Sequence, residues 1–356
     1  MIGKWIGHAA MISLGGGALA FAVYAMIYAM NTATTGSRSD GSLNIVSVRK
    51  GGAADRAVFV PTLREPGPVR GGIELKDKLR KFNGAPAESM SQVFFKIAHS
   101  EPGVVVEFEV EREGRVLPFR LTLERLRWPR DLSLAFIIGL CYFAVGAFAY
   151  ANRPSDTVVH LFYVLGAVAL VGLPAPIDQQ VIHSDRFLSM TSNIFSFMIL
   201  PVVIHLSLLF PERIAMRDSR RRIILALVYL VPLALALHQS LLHSDIFENP
   251  SREVERKTAE AVRLGLVLHG FLMLLAIGIF HRSYLRVTEP AARRQLTIVL
   301  TGGLVAFVGG LTAVGYTIFH PDAVFGPNRW MYAMLLTIAF PIATGIALFR
   351  YRLLDI

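Results

Sequence analysis

Long apolar runs separated by short polar segments dominate the chain beyond residue 130, and one further run lies near the N-terminus. Each run approaches the ~20 residues that an α-helix needs to cross ~30 Å of hydrocarbon. The pattern therefore predicts a multi-pass α-helical membrane protein with about eight spans. The predicted spans cover residues 5–30, 132–151, 158–173, 188–210, 223–242, 264–280, 296–319 and 330–349.

A different pattern fills residues 39–127, between the first two spans. The stretch LNIVSV (43–48) alternates, and residues 104–126 form two alternating runs around Glu113-Gly114, which is typical of strands joined by a turn. Between them, Ser89 is the predicted N-cap of a short amphipathic helix with apolar positions at Met90, Val93, Phe94 and Ile97. We predict three parts: an anchor at 1–30, a small α/β domain at 39–127 and a seven-span domain at 131–356.

Charge distribution predicts the orientation in the membrane. The chain is 53% hydrophobic and carries a net charge of +10, but its arginines lie in short segments between apolar runs, which argues against nucleic-acid binding. If the N-terminus is cytoplasmic, the inner segments hold thirteen basic residues and the outer short loops hold six. The positive-inside rule then places both termini in the cytoplasm and the α/β domain outside. The inner set is Lys4, Arg153, Arg213, Arg217, Arg220, Arg221, Arg222, Arg282, Arg286, Arg293, Arg294, Arg350 and Arg352; the outer set is Arg186, Arg252, Arg256, Lys257, Arg263 and Arg329.

The α/β segment resembles a bacterial PDZ domain, although Lys76 stands where that family has a glycine. The resemblance is carried by Gly51, Gly52, Ala54, Ala57, Gly72, Asp77, Leu79, Asn83, Gly84, Pro102 and Gly103. It implies a groove in which a peptide or protein ligand adds a strand beside the short helix. The groove residues would be Gly41, Ser42, Leu43, Ile45, Val93, Phe94 and Ile97. The alternative is that these apolar side chains fill a small core.

Three arginine-rich boundaries in the membrane part carry a second resemblance. They are the segment from His205 to Phe210-Pro211-Glu212-Arg213, the entry Arg293-Arg294-Gln295, and the exit RYRLLDI at 350–356. Together they resemble the seven-span sensor region of bacterial histidine kinases, including competence-pheromone receptor kinases. The resemblance implies a bacterial inner-membrane sensor that signals through Arg350, Arg352 and Asp355 to a cytoplasmic kinase or regulator. Taken singly, each boundary is better explained by membrane topology, with arginines that bind lipid phosphates. Separately, the glycine-rich span 296–319 is a candidate surface for a homodimer, and packing within the chain is the favoured alternative.

No catalytic constellation occurs in the sequence, and we expect no enzyme activity, cofactor or metal. His-Glu-x-x-His and Gly-x-Ser-x-Gly are both absent. The polar residues predicted to lie inside spans are His160, Asn193, His205 and His269, and polar groups at such depth usually face the bundle interior. His160 and His205 are predicted to share a depth. Packing through hydrogen bonds, proton or ligand sensing, and a bis-histidine haem or metal site all remain open.

These features favour a signal-sensing receptor whose ligand binds outside or within the bundle. The expected contacts are the lipid bilayer, a peptide or protein ligand at the α/β domain and a cytoplasmic kinase-type output. We expect the chain to be the sensory half of, or partner to, such a kinase. The alternative is a membrane scaffold that recruits an extracytoplasmic protein. A transporter is disfavoured because the predicted span interiors contain no Asp or Glu.

Overall fold

The computed structural model describes residues 2–35, 37–39, 43–61, 71–125, 130–174, 185–210, 216–248, 252–319 and 331–352. The helices are α1 (Ile2–Asn31), α2 (Met90–Ala98), α3 (Arg130–Asn152), α4 (Thr157–Gly172), α5 (Arg186–Leu209), α6 (Asp218–Glu248), α7 (Arg252–Arg286), α8 (Pro290–Phe319), α9 (Met331–Met334) and α10 (Ala339–Arg352), with a 3₁₀ turn at Leu335–Ile338 between the last two. The strands are β1 (Ala33–Thr34), β2 (Ser37–Ser39), β3 (Ile45–Val48), β4 (Val58–Phe59), β5 (Lys78–Phe82), β6 (Ala85–Pro86), β7 (Val105–Arg112), β8 (Arg115–Thr122) and β9 (Glu124–Arg125).

Six of the described helices are long and apolar enough to cross a membrane, which confirms a helical membrane protein. They are α1, α3, α5, α6, α7 and α8. The other two predicted spans fall on shorter apolar helices, Thr157–Gly172 and Leu335–Leu348. At 1.5 Å per residue the 16-residue α4 is about 24 Å long, less than the hydrocarbon thickness. The eight-span count therefore stays a prediction.

The membrane helices close into a ring. Neighbouring contacts run from α3 to α4, from α4 to α5 and α5 to α7, then from α7 to α8, α8 to α10 and back to α3. Helix α6 packs against α5 and α7, and α1 packs against α4 and α3. Glycines allow the closest approaches, because a Cβ added at Gly166 would lie 2.7 Å from the Cα of Phe143, and one added at Gly302 would lie 2.6 Å from the carbonyl oxygen of Ala339. Small residues at helix interfaces serve this purpose in membrane bundles.

The described residues between 33 and 125 form a small α/β unit around one apolar core. Strands β4, β8, β7, β5 and β6 lie in that order in an antiparallel sheet, and β2 pairs with β3. The predicted turn is confirmed at Glu113 and Gly114, where φ is 51° and 80° in the left-handed region that glycine tolerates best. The predicted cap is confirmed as well, since the Ser89 hydroxyl accepts the N–H of Gln92 at 3.2 Å.

A buried ion pair fixes the loop before β5 to the end of β7. Asp77 is 1% exposed, and its carboxylate accepts two hydrogen bonds of 2.7 Å from the Arg112 guanidinium and one of 2.8 Å from the Glu74 N–H. The guanidinium also donates to the Gly72 carbonyl at 2.8 Å. The hydrogen bonds to Asp77 raise the pKa of Arg112 above its ordinary value, while burial opposes the rise.

The α/β unit is joined to the bundle by its chain connections and by a contact between two helices. Strand β1 directly follows α1 and pairs antiparallel with β9, which precedes α3. The two chain connections therefore lie side by side at the base of the unit. Helix α2 in turn contacts α6. The α/β unit is thus held against a membrane helix as well as being tethered at its ends.

Candidate ligand cavity within the membrane bundle

A partly open cavity of about 260 Å³ lies among the membrane helices. Its wall comes from α3 to α8 and from the last segment, residues 331–352. Most of the wall is apolar, as in typical small-molecule sites, which pair an apolar lining with a few polar groups that fix orientation. The polar side chains of the wall are Tyr142, Asn193, Ser196, Gln239, His269 and Thr337.

Asn193 fastens α5 to α6 at the cavity wall. Its side-chain Nδ2 donates to the Ala236 carbonyl at 3.2 Å and to the Ser240 hydroxyl at 3.0 Å. Both partners lie on the turn of α6 that carries Gln239. Interhelical amide and hydroxyl bonds of this kind stabilise membrane bundles and fix the relative rotation of the helices.

Within the described part of the cavity wall, the side chain of Gln239 has a polar atom that is buried without a partner. It is 7% exposed, and its Oε1 has no hydrogen-bond partner among the residues that the structure describes. A buried acceptor without a donor costs about 1–3 kcal/mol, and no bulk water is present in the bilayer core to offset that cost. Gln239 therefore lines the cavity and keeps a buried acceptor that has no protein partner among the described residues.

His269 faces two carbonyl groups. Its Nδ1 lies 2.8 Å from the Gly265 oxygen on the preceding turn, and its Nε2 lies 3.5 Å from the Ser196 oxygen of α5. Its ring meets the Phe197 ring edge to face at 4.8 Å between centroids. A neutral imidazole carries one N–H, and the shorter contact takes it. His269 is thus bonded within the wall rather than pointing a free donor into the cavity.

The last segment borders the cavity with an irregular turn. The Tyr142 hydroxyl donates to the Thr337 carbonyl at 2.8 Å, and the Thr337 hydroxyl donates to the Met334 carbonyl at 2.6 Å. Met334, Thr337 and Phe340 all line the cavity. Because residues Leu335–Ile338 are 3₁₀-helical between two α-helical pieces, the last segment is not one regular helix. A 3₁₀ stretch inside a helix often marks a hinge.

The four predicted membrane polar residues separate into two groups. Asn193 and His269 line the cavity. His205 instead bonds the Tyr229 hydroxyl at 3.2 Å, and His160 bonds the Pro154 carbonyl at 2.6 Å beside the Tyr150 ring. His160 and His205 therefore have different partners rather than one shared site. Within the described part of the chain, no three His, Cys, Asp or Glu side chains are grouped so as to hold a metal ion.

The groove residues predicted in the α/β unit lie mostly in its core. Leu43, Ile45, Val93 and Ile97 are buried there, and Phe94 is partly buried against the same cluster. The expected open edge of β3 is occupied by β2, with Ser39 opposite Ile45 and Ser37 opposite Val48. The other edge is bonded to the segment before β5, where the Ile45 N–H donates to the Asp77 carbonyl at 2.7 Å. An added peptide strand would thus have to pair with β2, not β3. Gly41 and Ser42 lie outside the described residues.

The predicted exit residues lie at the end of the last segment. Arg350 and Arg352 belong to the final turn of α10, and Asp355 lies outside the described residues. Sequence reasoning missed Tyr142, Gln239 and Thr337 as members of the cavity wall. Gln239 carried a usable signal, because an amide within a predicted span is a candidate interior group on the same grounds as Asn193.

No protein-family model matches this chain, and no curated protein is significantly similar to it. Function must therefore be argued from the geometry of the chain itself.

Proposed function

We propose that this protein is a membrane receptor in which a small, largely apolar ligand occupies the bundle cavity and changes the packing of the last segment. One observation carries the proposal: the same cavity is lined by Asn193, Gln239 and His269 of α5 to α7 and by Met334, Thr337 and Phe340 of the segment that leads to Arg352. A guest at this position would contact both the helices that bind it and the helix that exits the bundle.

The switch is a shift between two packings of the last segment. The 3₁₀ turn at Leu335–Ile338 is the element that would change, since it is bonded to α3 through Tyr142 and Thr337 and packs against α3 and α8. A ligand moves such an equilibrium only as far as its affinities for the two packings differ. A tenfold difference in affinity, about 1.4 kcal/mol, suffices to change the populations tenfold.

We further propose, from the two resemblances, that the protein has eight spans in a bacterial inner membrane, with both termini in the cytoplasm. The PDZ-like unit would lie outside, and a kinase-type two-component output would follow Arg350 and Arg352. The contact between α2 and α6 supports the PDZ-like unit as a second input, because α6 carries Gln239. A peptide ligand at the unit would act on the cavity through that contact.

A fusion experiment tests the proposal. A histidine-kinase catalytic core is joined in helical register after Ile356, and its autophosphorylation is measured in nanodiscs. Ala306→Leu fills part of the cavity, whereas Val308→Leu enlarges an exposed side chain on the same helix and serves as the matched control. We expect Ala306→Leu to change basal output several-fold and Val308→Leu to leave it at the parent level.

Equal output from the parent, Ala306→Leu and Val308→Leu, with all three folded and inserted, would overturn the receptor role of the cavity. Deleting residues 39–127 addresses the second input. If the deletion leaves output unchanged, the PDZ-like unit does not contribute to signalling, and the scaffold alternative becomes the better account of that unit. A reporter after Ile356 that is active outside the cell would contradict the proposed orientation.

A further inference from the structure

The cavity extends along the membrane helices. Helix α7 alone lines it from Val262 to Phe280, a rise of about 27 Å at 1.5 Å per residue. A sphere of 260 Å³ would be only about 8 Å across. The wall therefore indicates a slot whose long axis follows α7.

The two ends of the slot have different walls. At one end, a Cβ added at Gly265 would lie 2.7 Å from the Phe197 ring of α5 and 3.6 Å from the side-chain oxygen of Gln239 on α6. At the other end, the ring of Phe280 meets the ring of Phe340 in the last segment, with 6.4 Å between centroids. Gly265 and Phe280 are separated by a rise of about 22 Å along α7. A guest that fills the slot must therefore be elongated.

The lining of the slot specifies the polarity of the guest. No Asp, Glu, Lys or Arg side chain lies among the described residues that line the cavity, and the apolar members include Leu200, Met273 and Phe307. An ion placed there would lose its hydration without gaining a counter-ion. An apolar wall also gives water few partners, whereas hydrocarbon makes dispersion contacts along its whole length. The lining therefore excludes a charged group from the slot and favours hydrocarbon.

We infer that the guest is a single unbranched alkyl chain of about ten carbon atoms that lies along α7. An apolar cavity of about 150 Å³ holds the six carbons of benzene, so 260 Å³ accommodates about ten carbons by the same measure. This inference rests on the proposed function, because it names the ligand class of the same cavity. Either a bilayer lipid or a free alkyl compound can supply such a chain.

Two probes with the same number of carbons separate shape from size. One is decane that bears a diazirine at its fifth carbon, and the other is adamantane diazirine, a compact cage. The full chain in nanodiscs is photolabelled with each probe over a concentration series, and labelled residues are located by tandem mass spectrometry. Labelling of Leu241, an exposed side chain of α6, measures the probe concentration in the bilayer. Relative to that standard, we expect the linear probe to label Met273 and Phe307 at least about fivefold more than the cage, because the cage fits only if wall side chains shift.

Matched variants of α8 test whether the label lies in the slot. Ala306→Phe places a ring in the slot, whereas Val308→Phe adds the same ring at an exposed position of the same helix. We expect Ala306→Phe to lower the labelling of Met273 by the linear probe at least about fivefold, and Val308→Phe to leave it at the parent level. If Ala306→Phe fails to fold, Ala306→Leu takes its place, with a smaller loss in the same direction.

A phosphatidylcholine whose decanoyl chain carries the same diazirine identifies the source of the chain. Labelling of the slot by this lipid would assign the guest to a bilayer lipid. Labelling by the free linear probe alone would assign it to a free alkyl compound. Both results support an alkyl guest.

Equal labelling of the slot by the linear probe and the cage would overturn the inference, and so would labelling by the linear probe that survives obstruction at Ala306. Labelling is measured without any kinase output. A preference for the linear probe together with an unchanged fusion output would therefore refute the proposed receptor role and leave the alkyl-chain assignment standing. A changed fusion output together with equal labelling by the two probes would refute the assignment alone.

Discussion

The α/β unit and the membrane bundle sort their side chains in opposite ways. The unit buries Val106, Phe108 and Phe119, and its surface carries ion pairs such as Arg120 with Glu107. The bundle exposes large apolar side chains along its helices, including Leu241, Leu274 and Leu285. Its interior includes polar side chains, among them Ser192, Asn193, Ser207 and Gln239. The α/β unit has the pattern of a protein in water, with apolar side chains inside and charged side chains outside. The bundle has the pattern of a protein in lipid, with apolar side chains on the outer surface and polar side chains among the helices.

The comparison is most informative at the buried polar groups. In the α/β unit, Asp77 is matched by two N–H groups of Arg112 and one backbone N–H, so the group is structural. In the bundle, Gln239 keeps an unmatched acceptor beside a cavity. Among the described residues, Ser283 Oγ and Thr344 Oγ1 are also buried without a partner, so the membrane bundle matches its buried polar atoms less completely than the α/β unit matches Asp77.

The largest effect is expected at the buried ion pair. Asp77→Ala leaves the Arg112 guanidinium largely buried without its main partner, and removing one member of such a pair costs about 3–5 kcal/mol. The measurement is pulse proteolysis of the α/β unit in the full chain as a function of urea. Glu107→Ala, which removes the exposed pair with Arg120, is the control and should cost at most about 0.5 kcal/mol.

If Asp77→Ala and Glu107→Ala reduced the free energy of unfolding by similar amounts, burial would not distinguish the two ion pairs. Asp77 could then not serve as the example of a fully matched buried group in the α/β unit.

The pH dependence of the same pair sharpens the comparison. Because the folded-state pKa of Arg112 is raised, its contribution to stability is complete below the ordinary arginine pKa and is lost only as pH rises through the raised value. The penalty of Arg112→Met should therefore be equal at about pH 7 and about pH 10. Arg112→Lys should also destabilise, because an ammonium cannot donate the paired bonds that the guanidinium makes to Asp77. A penalty for Arg112→Met that falls between these pH values would contradict the assignment.

A smaller effect is expected where α8 approaches the last segment. A Cβ at Gly302 would lie 2.6 Å from the Ala339 carbonyl oxygen, whereas a Cβ at Gly303 would lie 3.7 Å from Phe340, an ordinary contact. Both substitutions by alanine gain the same helix propensity, so their difference isolates the contact. We expect Gly302→Ala to be about 1–3 kcal/mol less stable than Gly303→Ala in steric-trap unfolding. Equal stabilities would mean that the last segment moves away at no cost.

The sequence predicted most of the α/β unit and the helical content of the bundle, for local reasons. The Ser89 cap and the Glu113-Gly114 turn each depend on residues within a few positions, and the membrane-spanning helices follow from the length and apolar composition of each run. The predicted groove depended on which strand lies at the edge. The segment Ser37–Ser39 is short and polar, so it shows no alternation of apolar and polar residues that would predict a strand. The sequence therefore did not predict that β2 pairs with the edge of β3.

The cavity was predictable in part, for a different reason. Asn193 and His269 are polar side chains within apolar runs, and such side chains usually face the interior of a membrane bundle. Both line the cavity. His160 and His205 meet the same criterion and lie elsewhere, because depth along a helix does not fix which neighbour a side chain meets. Tyr142 and Thr337 meet across nearly two hundred residues of chain, a pairing that no local pattern encodes.

The smallest effect is expected for the polar contact that frames the cavity. Asn193 donates to Ser240 at 3.0 Å and retains the Ala236 carbonyl as a second acceptor, so removing Ser240 leaves the amide partly satisfied. A double-mutant cycle of Asn193→Ala and Ser240→Ala in steric-trap unfolding should give a coupling of about 0.6 kcal/mol, the average for hydrogen bonds between membrane helices. A coupling well above about 2 kcal/mol would mean that this contact is as tightly matched as the Asp77 pair. In that case incomplete matching in the bundle would be limited, among the described residues, to oxygens such as those of Gln239, Ser283 and Thr344 and would not extend to the contacts between helices.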